Sequence, residues 1–268
     1  ASGENASASG TKSNASGTRS IASGKDSNSY ATDGLAIGTD AVSGISNPTT
    51  AQQASNANTI AIGKAANATD LDALAMGNNA QASKQNATAI GSNAKATANY
   101  AQAFGENSQA SGVESIAQGR NALASAEKAL AIGSAAKATA VNASAFGTGA
   151  NAAAENASAF GTGATAQNEK SVAIGAGAKA QSNRSVALGD GAVAGSATGT
   201  SNATVNGLSY GGFAGTNPVA TVSVGTATEK RTITNVAAGR ISSTSTDAIN
   251  GSQLYITNNV LGNVAKST

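Results

Sequence analysis

Asp70 and Asp72 stand one residue apart, the kind of carboxylate pair that general acid–base chemistry uses when burial drives two pKa values apart. No apolar pocket around them is readable from the sequence, so exposed turn charges are expected. Histidine and cysteine are absent altogether. That removes an imidazole base, a thiolate nucleophile, a disulfide framework and a thiolate or imidazole zinc site. Carboxylate, hydroxyl and lysine chemistry remain. The 32 glycines bring phosphate loops to mind, but no Gly-Lys-Ser/Thr follows a suitable strand. A Gly-Gly-x-Gly-x-Asp calcium repeat and a collagen-like glycine at every third residue are missing too. Asn-Ala-Ser recurs, at Asn142 and Asn156 for example, as a by-product of a repeat, and marks glycosylation only in a eukaryotic secretory setting. No catalytic, cofactor-binding or metal-ligating residue is assigned, and the ligand-binding residues are unknown at this level.

The elements that would carry any site must be unusual ones. Only 3% of the 268 residues are aromatic and 11% charged, and the apolar fraction is mostly alanine, which fills little space. Such a chain is either disordered or folded into something thin enough for small side chains to fill. A net charge of +2 and the lack of a Lys/Arg run predict no nucleic-acid partner. No stretch of 18 apolar residues is present, so no membrane-spanning helix is expected; a secretion signal and a membrane anchor are expected outside this chain.

A repeat decides between disorder and a thin fold. The glycine of an Ala-x-Gly triplet stands at Gly10, Gly24 and Gly38, then at Gly63, Gly77 and every fourteenth residue to Gly189, with a single longer step of 25 residues between Gly38 and Gly63. Alanine lies two before each glycine, and Ala or Ser lies three and five after it. The unit reads as strand, turn, strand, turn. Because side chains alternate faces along a strand, the residue just before each glycine lies opposite the alanine. That row contains Ile37, Ile62, Met76, Ile90, Phe104, Gln118, Ile132, Phe146, Phe160, Ile174 and Leu188. A second row, three before the glycine, carries Ile60, Leu74, Ile116, Leu130, Val172 and Val186, interrupted by Thr88, Gln102, Ser144 and Ser158.

A 14-residue coil encloses only a narrow lumen, which the small rows suit. The large rows must then point outward in one stripe. At about 25 cal/mol per Å² of apolar surface, such a stripe calls for a cover, and identical chains sharing an axis are the simplest one. A monomeric rod with the stripe bare would aggregate. Asn79, Asn93, Asn107, Asn121, Gly149, Gly163, Gly177 and Gly191, two after the glycine, suit positive φ. Thirteen coils at about 4.8 Å each make a rod of roughly 60 Å.

With these residues placed, the sequence resembles the head of YadA-like trimeric autotransporter adhesins. Their Ser-Val-Ala-Ile-Gly motif stands here as Ser171 to Gly175, and as Ser185-Val186-Ala187-Leu188-Gly189. The resemblance implies an all-β, left-handed parallel β-roll, homotrimeric, over residues 1–194. Ser9 and Ser23 depart from the pattern at the large apolar position. Arg231 to Gly239, followed by Thr246 to Leu254, resembles the neck of the same family, which places a neck at 231–254 and the start of a coiled-coil stalk at 255–268. Thr246 and Asp247 suit a helix start, and Ile249, Ile256 and Val260 the beginning of a heptad seam. Residues 195–230, with Thr204-Val205, Val219 to Val224 and the Tyr210 to Gly215 cluster, read as a β-rich connector, whose aromatics are expected to pack at the trimer axis, with a ligand spot as the less favoured alternative.

The function implied is adhesion. The resemblance points to a bacterial surface protein, anchored in the outer membrane, that is not an enzyme and needs no cofactor. Its partners would be further copies of itself and host extracellular-matrix proteins, with collagen, fibronectin and laminin as candidates. Two features are candidates for binding, and neither is assigned as a site: the polar row four after each glycine (Gln81, Lys95, Gln109, Lys137, Lys179), for which a solvated face is the favoured alternative at any single residue, and the inserted segment around Ser43 to Thr50, where tolerated insertion is an equal alternative. A structural spacer is the alternative function. An ice-binding solenoid would need an outward Thr ladder, and solenoid acyltransferases a histidine.

Overall fold

The computed structural model describes residues 1–49, 52 and 56–267. From Ser7 to Ala194 each unit runs as a three-residue strand, a bend at the repeat glycine, a two-residue strand and a second bend. Among the described residues the three-residue strands stack into a 14-stranded parallel sheet and the two-residue strands into a 13-stranded one. Ala89 pairs with Ala75 on one side and Ala103 on the other, so each residue faces its equivalent one repeat away. Parallel pairing without crossover helices is possible because every coil returns the chain to the same phase one rung higher.

The interior is alanine. Ala75, Ala80, Ala82, Ala87 and Ala89 and their equivalents along the rod are fully buried, and the largest fully buried side chains are Thr59 and a set of serines. Four small rows line this lumen. Besides the three visible in the sequence, the residue four before each glycine points inward, as Ala73, Ala87, Ala129 and Ser171 do. Alanine loses no side-chain entropy on burial, so a narrow core of this kind forms at low entropic cost.

Both bends use left-handed backbone. Asn79, Asn93, Asn107 and Asn121 have φ of 54 to 58°, and Gly149, Gly163, Gly177 and Gly191 φ of 62 to 66°, as their types suggest. The second bend holds Asn86, Tyr100, Glu114, Lys128 and Lys170 in the same region. That costs a side chain roughly 1–2 kcal/mol. The ladder offsets it: the Tyr100 N–H donates to the Gln85 carbonyl at 2.9 Å and the Glu114 N–H to that of Asn99 at 3.0 Å. The repeat glycine is a different case. Gly133 has φ of +130°, and a Cβ there would lie 2.6 Å from the carbonyl carbon of Gly147 on the next rung.

The long step between Gly38 and Gly63 leaves the ladder intact. Leu35–Ile37 pairs with Ile60–Ile62, and Val42–Ser43 with Asn67–Ala68. The excess of 25 less 14, eleven residues, is absorbed between Gly44 and Asn56. Asn56, 6% exposed, closes the gap: its Oδ1 accepts the Ile45 N–H at 2.8 Å and its Nδ2 donates to the Ile45 carbonyl at 3.2 Å. The side-chain amide thus imitates a ladder partner. Of the segment singled out in the sequence, Thr50 lies outside the described residues.

Beyond Ala194, Asn202–Val205 and Leu208–Gly211 form an antiparallel hairpin across Asn206-Gly207, both at positive φ, the two-residue turn such a pair favours. Val222–Ser223 then rejoins the large sheet beside Val186–Ala187. Val222–Ser223 therefore adds one more strand to the large sheet, a rung beyond Val186–Leu188, although Gly225 does not take the positive φ of the repeat glycines, and the sheet is interrupted rather than finished at Ala194. Arg231 closes its end. The guanidinium donates to the carbonyls of Asp190 at 2.6 Å and Val224 at 2.7 Å and lies over Gly189, where the next coil's backbone would sit.

Helix α1 spans Gly251–Ser267, and its start differs from the expectation at Thr246 and Asp247. Asn250 is the cap: its Oδ1 accepts the Gln253 N–H at 3.3 Å while Gln253 Oε1 accepts the Asn250 N–H at 3.3 Å, a reciprocal capping box. Asp247 is instead engaged by Arg240, whose Nε and Nη2 donate to it at 2.8 and 3.2 Å. Ile249 precedes the helix and takes no heptad position. At 100° per residue the apolar stripe falls on Leu254, Val260, Leu261 and Val264, all more than half exposed in the single chain.

Candidate binding surfaces

The two sheets give the rod two unlike faces. On the three-residue strands the central alanine points in and its neighbours out, so the rows one and three before each glycine share a surface. Met76, Phe160, Ile174 and Leu188 are 38 to 45% exposed there. Phe146 and Phe160 stack with ring centroids 4.9 Å apart and planes at 11°. This is the outward apolar stripe read from the sequence.

The two-residue strands carry the polar row. Gln81, Lys95, Gln109, Lys137 and Lys179 are exposed, each beside a buried alanine. Gln81 pairs with Lys95 and Lys95 with Gln109, so successive members stand one strand spacing apart, about 4.8 Å. Lys95, Lys137 and Lys179 recur every third rung, a cation about every 14 Å. The period of three was present in the sequence as steps of 42 residues and is visible only once the rungs are counted. Thr165, Gln167 and Gln181 line a shallow hollow around Lys179. A second hollow, uncharged, lies between the first coils and the base of the insertion, lined by Asn14, Ser16, Tyr30 and Ser46 to Pro48 among others.

The remaining sequence candidates are turn residues. Asp72 sits in a left-handed bend and accepts the Asn58 amide at 3.0 Å, while Asp70 accepts the Leu71 N–H. Asn142 and Asn156 occupy the same bend on adjacent rungs and bond to each other. Tyr210 and Phe213 are exposed in the single chain, with no partner among the described residues that would bury them. Among the described residues no three His, Cys, Asp or Glu side chains approach closely enough to hold a metal, and no helix is long and apolar enough to cross a membrane.

One ion pair in the bend column has a measurable signature. Arg19 Nε and Nη2 reach Asp33 at 2.7 and 2.6 Å, one rung apart, and these hydrogen bonds hold the Asp33 carboxyl below its usual value. A lowered folded pKa means stability that is present above the unfolded carboxylate range and lost as pH falls through the folded value. NMR titration is expected to place Asp33 below an ordinary aspartate, and Arg19→Gln to return it to that range.

A repetitive scaffold that displays flat, periodic faces is the class this fold defines. The chain belongs to the YadA-like trimeric autotransporter adhesins: the YadA head domain repeat matches residues 1–27, 54–80, 82–136, 138–164 and 166–192, and the coiled stalk of trimeric autotransporter adhesins matches 232–268. Family and fold point to a non-enzymatic protein. The chain is 55% identical over 76 residues to autotransporter adhesin BtaE of Brucella suis, a match covering 27% of this chain and 10% of that protein. It therefore spans about a tenth of that relative's length. Among solved structures, the C-terminal YadA-like domain of a Burkholderia pseudomallei protein is 55% identical, with 37% of this chain and 48% of that one covered and a TM-score of 0.35. The collagen-binding domain of the Yersinia adhesin YadA is 22% identical, with 92% and 87% covered and a TM-score of 0.32.

Proposed function

We propose that this chain is the head, neck and first stalk turns of a homotrimeric adhesin, displayed on the bacterial surface by an outer-membrane anchor, which attaches to host extracellular matrix through its polar face. The observation that carries the reading is the division of the rod into an uncharged apolar face and a polar, lysine-bearing one. Covering the first by further copies leaves the second turned to solvent. Single contacts to such a surface are weak. Repetition every few rungs, and again on each copy, multiplies them through effective concentration. The polar face rather than a pocket is the binding element, and an extended or repetitive ligand is the kind it suits.

Family membership supports adhesion over the spacer reading, and the exposed stripe of α1 supports assembly into a coiled coil. Two measurements test the proposal. Light scattering should return three times the chain mass of 25.5 kDa. Solid-phase binding to collagen, fibronectin and laminin should be saturable and should weaken when Lys95, Lys137 and Lys179 are changed together to glutamine. Absence of binding to any matrix protein or host cell surface would overturn it.

A further inference from the structure

A rod of near-identical rungs poses a problem for its own assembly. Two copies that dock side by side can slide by one rung and still bring apolar rows together, because every rung presents the same backbone and a similar row of side chains. Closure of a ring about an axis parallel to the rod requires equal heights, and we infer that a ridge and a notch built into the apolar face by residues 144 to 160 select that register over the one-rung slips as copies dock. This rests on the homotrimer reading above and names which residues of that contact determine its register.

The occupant of the face is a second copy of this chain. No position from Leu35 to Leu188 in either outward row of this face is charged, so like faces meet without repulsion. The chain's terminal segment matches a stalk that is trimeric in its family. Rotation about an axis parallel to the rod brings the row just before the glycine on one copy against the row three before it on the next, at equal height.

At two consecutive rungs these rows are unlike in size. Ser144-Ala145-Phe146 and Ser158-Ala159-Phe160 are adjacent, paired strands, each with a serine in one row and a phenylalanine in the other. The two rings stack into a ridge, and the two serines beside them leave a notch of the same height. Leu130-Ala131-Ile132 below and Val172-Ala173-Ile174 above carry medium side chains in both rows. At equal height the ridge of one copy enters the notch of the next. A slip of one rung in one direction sets Phe160 against Val172 and leaves Ile132 facing Ser144. The opposite slip sets Phe146 against Leu130 and leaves Ile174 facing Ser158. Each slipped state combines an overpacked contact with a void, and interiors tolerate neither.

The absence of cysteine makes the register directly readable. Two differently tagged chains, each with a single cysteine outside the ridge and notch, are co-expressed and oxidised in three arms: Val172→Cys with Ile174→Cys at equal height, Val172→Cys with Leu188→Cys, and Val186→Cys with Ile174→Cys, each of the latter a rung out. The mixed disulfide is expected at least tenfold more abundant in the first arm. Separately, Ser144→Leu/Ser158→Leu, which fills the notch, should weaken assembly at least tenfold, and adding Phe146→Ala/Phe160→Ala should restore it. Equal cross-linking in all three arms, or no rescue, in a protein that light scattering shows to be trimeric overturns the register assignment alone. Single chains by light scattering overturn the homotrimer reading and this inference with it.

Discussion

Gly133→Ala is expected to cost at least about 3 kcal/mol in thermal or denaturant unfolding, far beyond an ordinary surface change, because it adds two penalties at once. The backbone there stands at φ of +130°, a region open in practice only to glycine, and the new Cβ would press on the Gly147 carbonyl at 2.6 Å. That contact cannot yield, since the Gly147 carbonyl is main chain already held in the ladder. Each rung touches only its neighbours, so the damage falls midway along the rod and is expected to separate the unfolding of its two halves. Gly163→Ala is the control. Its φ is +66°, with nothing within 4 Å of the added carbon, and the expected loss is only about 1 kcal/mol. Equal losses for the two substitutions would show that the glycine column is not held by close approach.

Ala131→Leu should be comparably damaging for the opposite reason. Ala131 is fully buried, and its neighbours across the lumen are themselves alanines. Overpacking in ordinary cores costs about 1–3 kcal/mol because larger side chains can shift. Here the surrounding groups are methyls attached directly to the two sheets, so space comes only from forcing the sheets apart, and the upper end of that range or beyond is expected. Thr165→Leu makes a similar change on the outward row and should move stability by no more than about 0.5 kcal/mol. Circular dichroism melts of the two variants decide the point; a tolerated leucine at position 131 would mean that the lumen is not filled by alanine alone.

Much of this architecture was legible because the repeat keeps its phase. The inward alanines, the outward Ile37 to Leu188 row and the left-handed Asn79 and Gly149 positions all follow from spacing and residue type. The second left-handed column did not show itself. Tyr100, Glu114 and Lys128 are not residues that announce positive φ, and what holds them there is a hydrogen bond to the previous rung, which one strand's sequence does not reveal. The rung at Val222–Ser223 was hidden by the segment inserted after Ala194, which breaks the fourteen-residue count. At the helix, Thr246 and Asp247 are sound capping types, but Arg240 engages Asp247, and Asn250 with Gln253 forms the reciprocal box. The polar face was readable as a row. Its division from the apolar face, and the lysines at every third rung, needed the stacking to be seen.

The ladder hydrogen bonds run along the rod, one set between each rung and the next, and that direction matters once the head is pulled. Tension between a held N-terminal end and the stalk loads these bonds in series, so the rungs can detach singly. A rung contributes about 4.8 Å to the folded rod but about 50 Å as extended chain. Losing a single rung therefore lengthens the tether roughly tenfold over that rung's own height and relieves the load on the rest, while the released alanine-rich strand has its partner one coil away to zip onto when the pull ends.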